Sequence, residues 1–116
     1  MSRPIDAPAA AVEEARRHYR IRRMRDQEFG PALFGEPAWD ILLDLYIAAS
    51  DPRLASVMSA SMAASVPTQD IARWLILLEQ HGLVERFSSG TDASRAIVTL
   101  SQRAFDQMTR LLNEHP

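Results

Sequence analysis

The sequence predicts an α+β fold, mainly α, and three observations predict it. Between Ser56 and Ser101 two short helical patterns are joined by a tight turn. The second pattern ends at His81-Gly82 and runs into Leu83-Val84-Glu85-Arg86, and two β-prone runs then bracket a polar tip. That order is a winged helix-turn-helix with flanking N- and C-terminal helices. The chain has 116 residues, 47% of them hydrophobic, which suffices for one compact core. Its expected divisions are a disordered lead over 1–8, an arginine-rich N-terminal helix and connector over 9–36, the winged helix-turn-helix over 37–100 and a C-terminal helix over 101–116.

Each element has a local cause. Residues 1–8 hold two prolines and no apolar period. Residues 9–28 contain good helix formers without glycine or proline, with Val12, Ala15, Tyr19 and, at the far end, Met24 as a narrow apolar stripe. Six arginines (Arg16, Arg17, Arg20, Arg22, Arg23, Arg25) fall within ten residues of this helix and surround most of it. Gly30-Pro31 and Gly35-Glu36-Pro37 break the chain, the second just where a proline suits a first helical turn. Trp39, Leu42, Leu43, Tyr46 and Ile47 then follow helical spacing, with Asp40 and Asp44 expected on the polar side, until Asp51-Pro52 ends the helix.

A short helix over 56–64, carrying Val57, Met58 and Met62, precedes Ser65-Val66-Pro67, where proline again suits a helix start. The next helix runs to His81 with Ile71, Trp74, Leu75 and Leu78 on one face and Gln69, Ala72, Arg73 and Ile76 opposite. Gly82 is placed as its C-terminal cap. Residues 83–87 and 96–100 form a two-stranded ribbon around the tip at 88–94, a pair too small to stand without the helices. The last helix, 101–113, carries Ala104, Met108, Leu111 and Leu112 as its stripe. Trp39 and Trp74 lie on apolar faces and read as core.

Composition narrows the function. With no cysteine, thiol redox sensing, disulfides and thiolate zinc sites are excluded. No segment reads as a secretory leader or a membrane span, so a cytoplasmic protein without membrane contact is expected. All thirteen basic residues are arginine, and their distribution is uneven. Residues 1–30 hold seven arginines against five acids, while residues 31–116 hold six against ten. Nucleic acid binding must therefore rely on a local patch. Catalysis is not expected. Asp40 and Asp44 have a spacing that binds metal, yet such a pair is usually the wet side of an amphipathic helix. His18, His81 and His115 are scattered, and no glycine-rich phosphate loop or nucleophile elbow is present, so neither cofactor nor metal is expected.

A polar hairpin beside an exposed helix end is a device for holding duplex DNA. Thr68, Gln69 and Arg73 are placed to face the major groove, where glutamine suits adenine and arginine suits guanine. Ser88, Ser89, Thr91 and Arg95 are the candidate wing contacts to phosphate or minor groove. Arg16, Arg17 and Arg20 either extend a phosphate-binding surface or pair with Glu13, Glu14, Asp26 and Glu28 on their own helix.

The stretch Arg73-Trp74, then Leu78-Glu79-Gln80-His81-Gly82-Leu83-Val84-Glu85-Arg86, then Asp92, Arg95 and Val98-Thr99-Leu100-Ser101 resembles the MarR family of winged-helix transcriptional regulators. The resemblance covers residues 37–112. More narrowly, Leu33-Phe34-Gly35-Glu36-Pro37-Ala38-Trp39-Asp40-Ile41-Leu42-Leu43-Asp44-Leu45-Tyr46 looks like a short branch of that family found in sphingomonad-type bacteria. Ser94 stands where the family usually carries its wing arginine, with Arg95 one step later, and Gln69-Asp70 stands where this branch is often threonine-rich. The resemblance implies a homodimer, a double-stranded DNA operator and a small-molecule effector. Two amphipathic terminal helices agree with dimerisation, since a lone domain would leave their stripes exposed. The competing reading is a winged-helix adaptor that docks on a protein and binds no DNA, favoured by the acidic balance after residue 30, by Asp70 and by Ser94.

Overall fold

The computed structural model describes residues 8–30, 33, 35–50, 55–64, 66–87 and 95–113. In chain order the elements are α1 (Ala9–Phe29), α2 (Pro37–Ser50), β1 (Ala55–Ser56), α3 (Val57–Ala64), α4 (Thr68–Gln80), β2 (Val84–Phe87), β3 (Ile97–Leu100) and α5 (Gln102–Asn113). This is the expected winged helix-turn-helix with a helix on either side, and the breaks at Gly30, Pro37 and Pro67 fall at element boundaries. Among the described residues, no helix is long and apolar enough to cross a membrane.

The middle of the molecule is α2, against which α1, α3, α4 and β3 all pack. Ile41, Leu43, Leu45, Tyr46, Ile47 and Ala48 are all buried, so α2 is enclosed on nearly every side rather than on one stripe. Asp40 and Asp44 are buried too, which corrects the expectation of a wet acidic face. The reason is long-range: Arg22 and Arg23 of α1 descend onto Asp40 and neutralise it. The arginines of α1 are thus not all surface groups, and Arg22 is itself buried. The stripes of the flanking helices differ in detail. On α1, Ala11 and Ala15 point inward while Met24 is 64% exposed, and on α5 Phe105 is buried while Leu111 faces outward. Phe105 stacks on Tyr46 at 5.1 Å between ring centroids. Thr109 donates its hydroxyl to the Phe105 carbonyl at 3.0 Å, so the Tyr46 hydroxyl is the donor in its 2.7 Å bond to Thr109. Trp39 and Trp74 pack against the core as expected.

The wing sheet is a second correction. It has three strands in the order β1-β3-β2, all antiparallel, because Ala55 and Ser56 pair with Val98 and Ile97 on the edge opposite β2. The short first strand turns a marginal ribbon into a sheet anchored at the start of the helix-turn-helix. On the other side Val84 pairs with Leu100 and Phe87 with Ile97.

At the end of α4, Gly82 has φ +72°, Gly82 N donates to Glu79 O and Leu83 N donates to Leu78 O, both at 2.9 Å. These are the paired bonds of a Schellman stop, which needs the left-handed conformation glycine tolerates. An added Cβ would also lie 2.9 Å from Arg103 Nη2, which donates to the carbonyl of His81. Gly82→Ala is therefore expected to cost about 1–2 kcal/mol, read from a urea unfolding curve.

Candidate nucleic-acid interface

The helix-turn-helix is built by local bonds that its small polar residues supply. Ser56 and Ser59 cap α3 reciprocally: Ser56 N donates to Ser59 Oγ at 2.8 Å and Ser59 N to Ser56 Oγ at 3.2 Å. In the turn to α4, Val66 N donates to Ser61 O at 3.2 Å while Ser61 Oγ donates to Val66 O at 2.5 Å. Pro67 then opens α4, its carbonyl accepting from Asp70 N and Ile71 N. These bonds fix the start of α4 relative to α3.

Behind α4, Ile71, Leu75 and Leu78 are buried in the core. At its C-terminal end Arg86 of β2 grips Glu79, with Nη2 to Oε1 at 2.8 Å and Nε to Oε2 at 3.3 Å, so wing and helix are tied. Ser101 continues the tie to α5. Its hydroxyl donates to Gly82 O at 2.8 Å and accepts from Ala104 N at 3.1 Å, and its N donates to Leu83 O. The outer face of α4 is left to solvent. Gln69 is exposed, and the Arg73 side chain is 81% exposed with Asp70 Oδ1 4.0 Å away. Thr68 is the first residue of the same helix. Arg95 is exposed just before β3, at the base of the wing. Ser88, Ser89 and Thr91 lie outside the described residues, as does Ser94.

The arginines of α1 divide into two groups. Arg17 is held by Glu14, with Nη2 to Oε2 at 2.6 Å and Nε to Oε1 at 3.2 Å. Arg16 and Arg20 line a cavity of about 340 Å³ between α1 and α2 together with Tyr19, Asp44 and Ile47. Arg23 instead faces inward. Its Nη1 donates to Ala63 O at 2.6 Å, its Nη2 reaches Asp26 at 3.0 Å and Asp40 at 2.9 Å, and its guanidinium lies 5.2 Å from the Tyr19 ring centroid. Tyr19 donates to the same Ala63 carbonyl at 3.0 Å. Thus α1 binds the last turn of α3, where the unpaired carbonyls of a helix C-terminus attract cations. Helical spacing alone gave no sign of this docking, since its partners lie 40 and 44 residues apart. Among the described residues no cluster of three or more His, Asp and Glu is gathered for a metal.

No family model matches the sequence, and no curated protein matches it. Solved structures do match in fold. The S. aureus MepR in its DNA-binding conformation is 14% identical, with a TM-score of 0.59 over 84% of this chain and 70% of that one. NMB1585, a MarR family regulator from Neisseria meningitidis, is 16% identical at TM-score 0.59, covering 87% and 68% of the two chains. Wild-type apo MarR from E. coli is 16% identical at TM-score 0.53, covering 89% and 71%. At such identities the likeness is one of fold.

Proposed function

With the MarR-type winged-helix fold of this chain as the premise, we propose that the protein binds a double-stranded DNA operator as a homodimeric transcriptional regulator, acting as a repressor by occluding a promoter. The observation that carries this reading is the outer face of α4. The helix is bolted to the core from behind and presents Gln69 and Arg73 to solvent, groups suited to adenine and guanine edges. Arg95 then contacts phosphate or minor groove, and Ser88, Ser89 and Thr91 are the further candidates for those contacts. Support for dimerisation comes from apolar exposure. Five of the nine large apolar side chains exposed among the described residues lie on or beside the terminal helices: Ile21, Met24, Phe29, Leu33 and Leu111. Pairing through α1 and α5 sets two α4 helices about 34 Å apart, one DNA turn, on a pseudo-palindromic site. Arg16, Arg17 and Arg20 are further candidates for phosphate contact. The cavity under Arg16, Tyr19 and Arg20 is the place for a small-molecule effector, which acts only if its affinity differs between two dimer arrangements.

The second reading, an adaptor that docks on a protein, draws on Asp70 beside Arg73 and on Ile76 and Leu77, which are exposed on α4. One experiment separates the two. Selection of duplexes from a random library, followed by a salt titration on the best one, is expected to give a palindromic site whose log K falls steeply with log salt, about 0.9 per phosphate neutralised. A folded dimer that enriches no duplex at low salt would favour the adaptor. A charge prediction accompanies it. Asp70 sits in the first turn of α4, where its carboxylate suits the helix but repels phosphate. Asp70→Asn is expected to tighten operator binding about two- to fivefold at low salt, an effect that fades as salt rises.

A further inference from the structure

Ile76 lies on the outer face of α4, on the side nearest Ala72. At 3.6 residues per turn, Gln69, Arg73, Ile76 and Gln80 fall within a strip about 60° wide, opposite the buried Ile71, Leu75 and Leu78. Ile76 is 46% exposed there, the one large apolar side chain of the strip, with Arg73, Gln80 and the small Ala72 as its nearest neighbours on the helix surface. It is not part of the buried core, and a β-branched residue on a helix face is slightly less favourable than the unbranched polar residues that usually occupy one. A protein-docking patch would require a contiguous apolar area of several hundred Å², whereas Ile76 is bordered by Arg73 and Gln80 and, on its other side, by a single methyl-sized apolar group, the half-buried Ala72. Leu77, also exposed, lies on the flank of the strip toward Asp70.

Resting on the operator-binding reading, we infer that Ile76 is a specificity-determining residue that packs against the C5-methyl group of a thymine. That methyl is the apolar group the major groove displays, and it is the complement such a side chain finds between hydrogen-bonding neighbours. The spacing sets its place. Residues three apart on a helix have Cβ atoms about 5–6 Å apart, and successive bases rise about 3.4 Å. The thymine therefore lies within two base pairs of the base read by Arg73, on the side away from the base read by Gln69.

The test uses the full chain and a duplex selected from a random library. Each thymine is replaced singly by deoxyuridine, which removes the methyl and leaves base pairing intact. One position per half-site is expected to lose about fourfold in affinity, the worth of one buried methyl-sized group. Ile76→Ala, an exposed substitution whose folding is checked by thermal melting, is expected to bind the thymine and deoxyuridine duplexes equally. Selected duplexes bound without discrimination at any thymine, or an Ile76→Ala variant that keeps the full discrimination, would overturn this inference while leaving operator binding in place. Failure to select any duplex would overturn both.

Discussion

Asp40→Ala is expected to lower folding stability by about 3–5 kcal/mol, the range for a buried ion pair broken from one side. For a domain of this size that corresponds to a fall of roughly 12–20 °C in Tm. The carboxylate is 1% exposed and accepts from Arg22 Nε, from Arg22 Nη2 at 3.1 Å and from Arg23 Nη2 at 2.9 Å. Its bonds hold the Arg22 guanidinium proton above the ordinary range, against the opposite pull of burial. Without it, Arg22 retains Glu36 at 3.7 Å, a largely exposed and therefore weak partner. Arg23 keeps Asp26 and the Ala63 carbonyl, so the damage concentrates at Arg22. The damage belongs to the stranded charge rather than to the lost attraction. Replacing both partners, as Arg22→Met with Asp40→Leu, is accordingly expected to recover most of the stability, since an apolar pair of similar volume often matches a buried ion pair. Urea unfolding of the three variants checks this. A double variant no more stable than Asp40→Ala would mean that the pair itself holds α1 onto α2.

That network also marks the boundary of what local sequence reveals. Gly30, Pro37, Pro67 and Gly82 act through backbone conformation within a few residues, so helix limits were legible. The outer face of α4 was legible as the complement of Ile71, Trp74, Leu75 and Leu78, which is why the exposure of Gln69 and Arg73 follows from helical spacing alone. The burial of Asp40 and Asp44 is not legible for the opposite reason. A carboxylate looks solvated until its partner is known, and the partners of Asp40 lie 17 and 18 residues upstream on another helix. Burial on all sides of α2 likewise depends on what surrounds it, not on its own period. The strand at Ala55 and Ser56 is two residues long, too short for an alternation to register. Ile76 was visible on the outer face, but its meaning rests on exposure and on the polarity of its neighbours there.

Replacing Arg73 is expected to have the largest effect on DNA affinity without an effect on folding. Its side chain is exposed, and Asp70 at 4.0 Å is an i, i+3 partner worth a few tenths of a kcal/mol, so Arg73→Ala leaves stability within about 0.5 kcal/mol. On a selected operator the loss is expected to be about 1–3 kcal/mol per half-site, roughly five- to 150-fold, with relaxed preference at the base it reads. Arg73→Lys separates charge from geometry. A lysine keeps the positive charge, hence the salt slope and the binding to scrambled duplexes, but lacks the planar fork that spans both guanine acceptors. It is expected to lose the discrimination and retain the background. Arg17→Ala is the contrast. Its guanidinium is engaged by Glu14, and any phosphate it reaches is shared by all sequences. Loss there is expected to weaken specific and scrambled duplexes alike and to flatten the salt slope by at most about one unit per subunit. If Arg73→Ala instead weakened both duplex classes equally, Arg73 would be a phosphate contact, and base reading would have to come from Gln69, Ile76 and the wing.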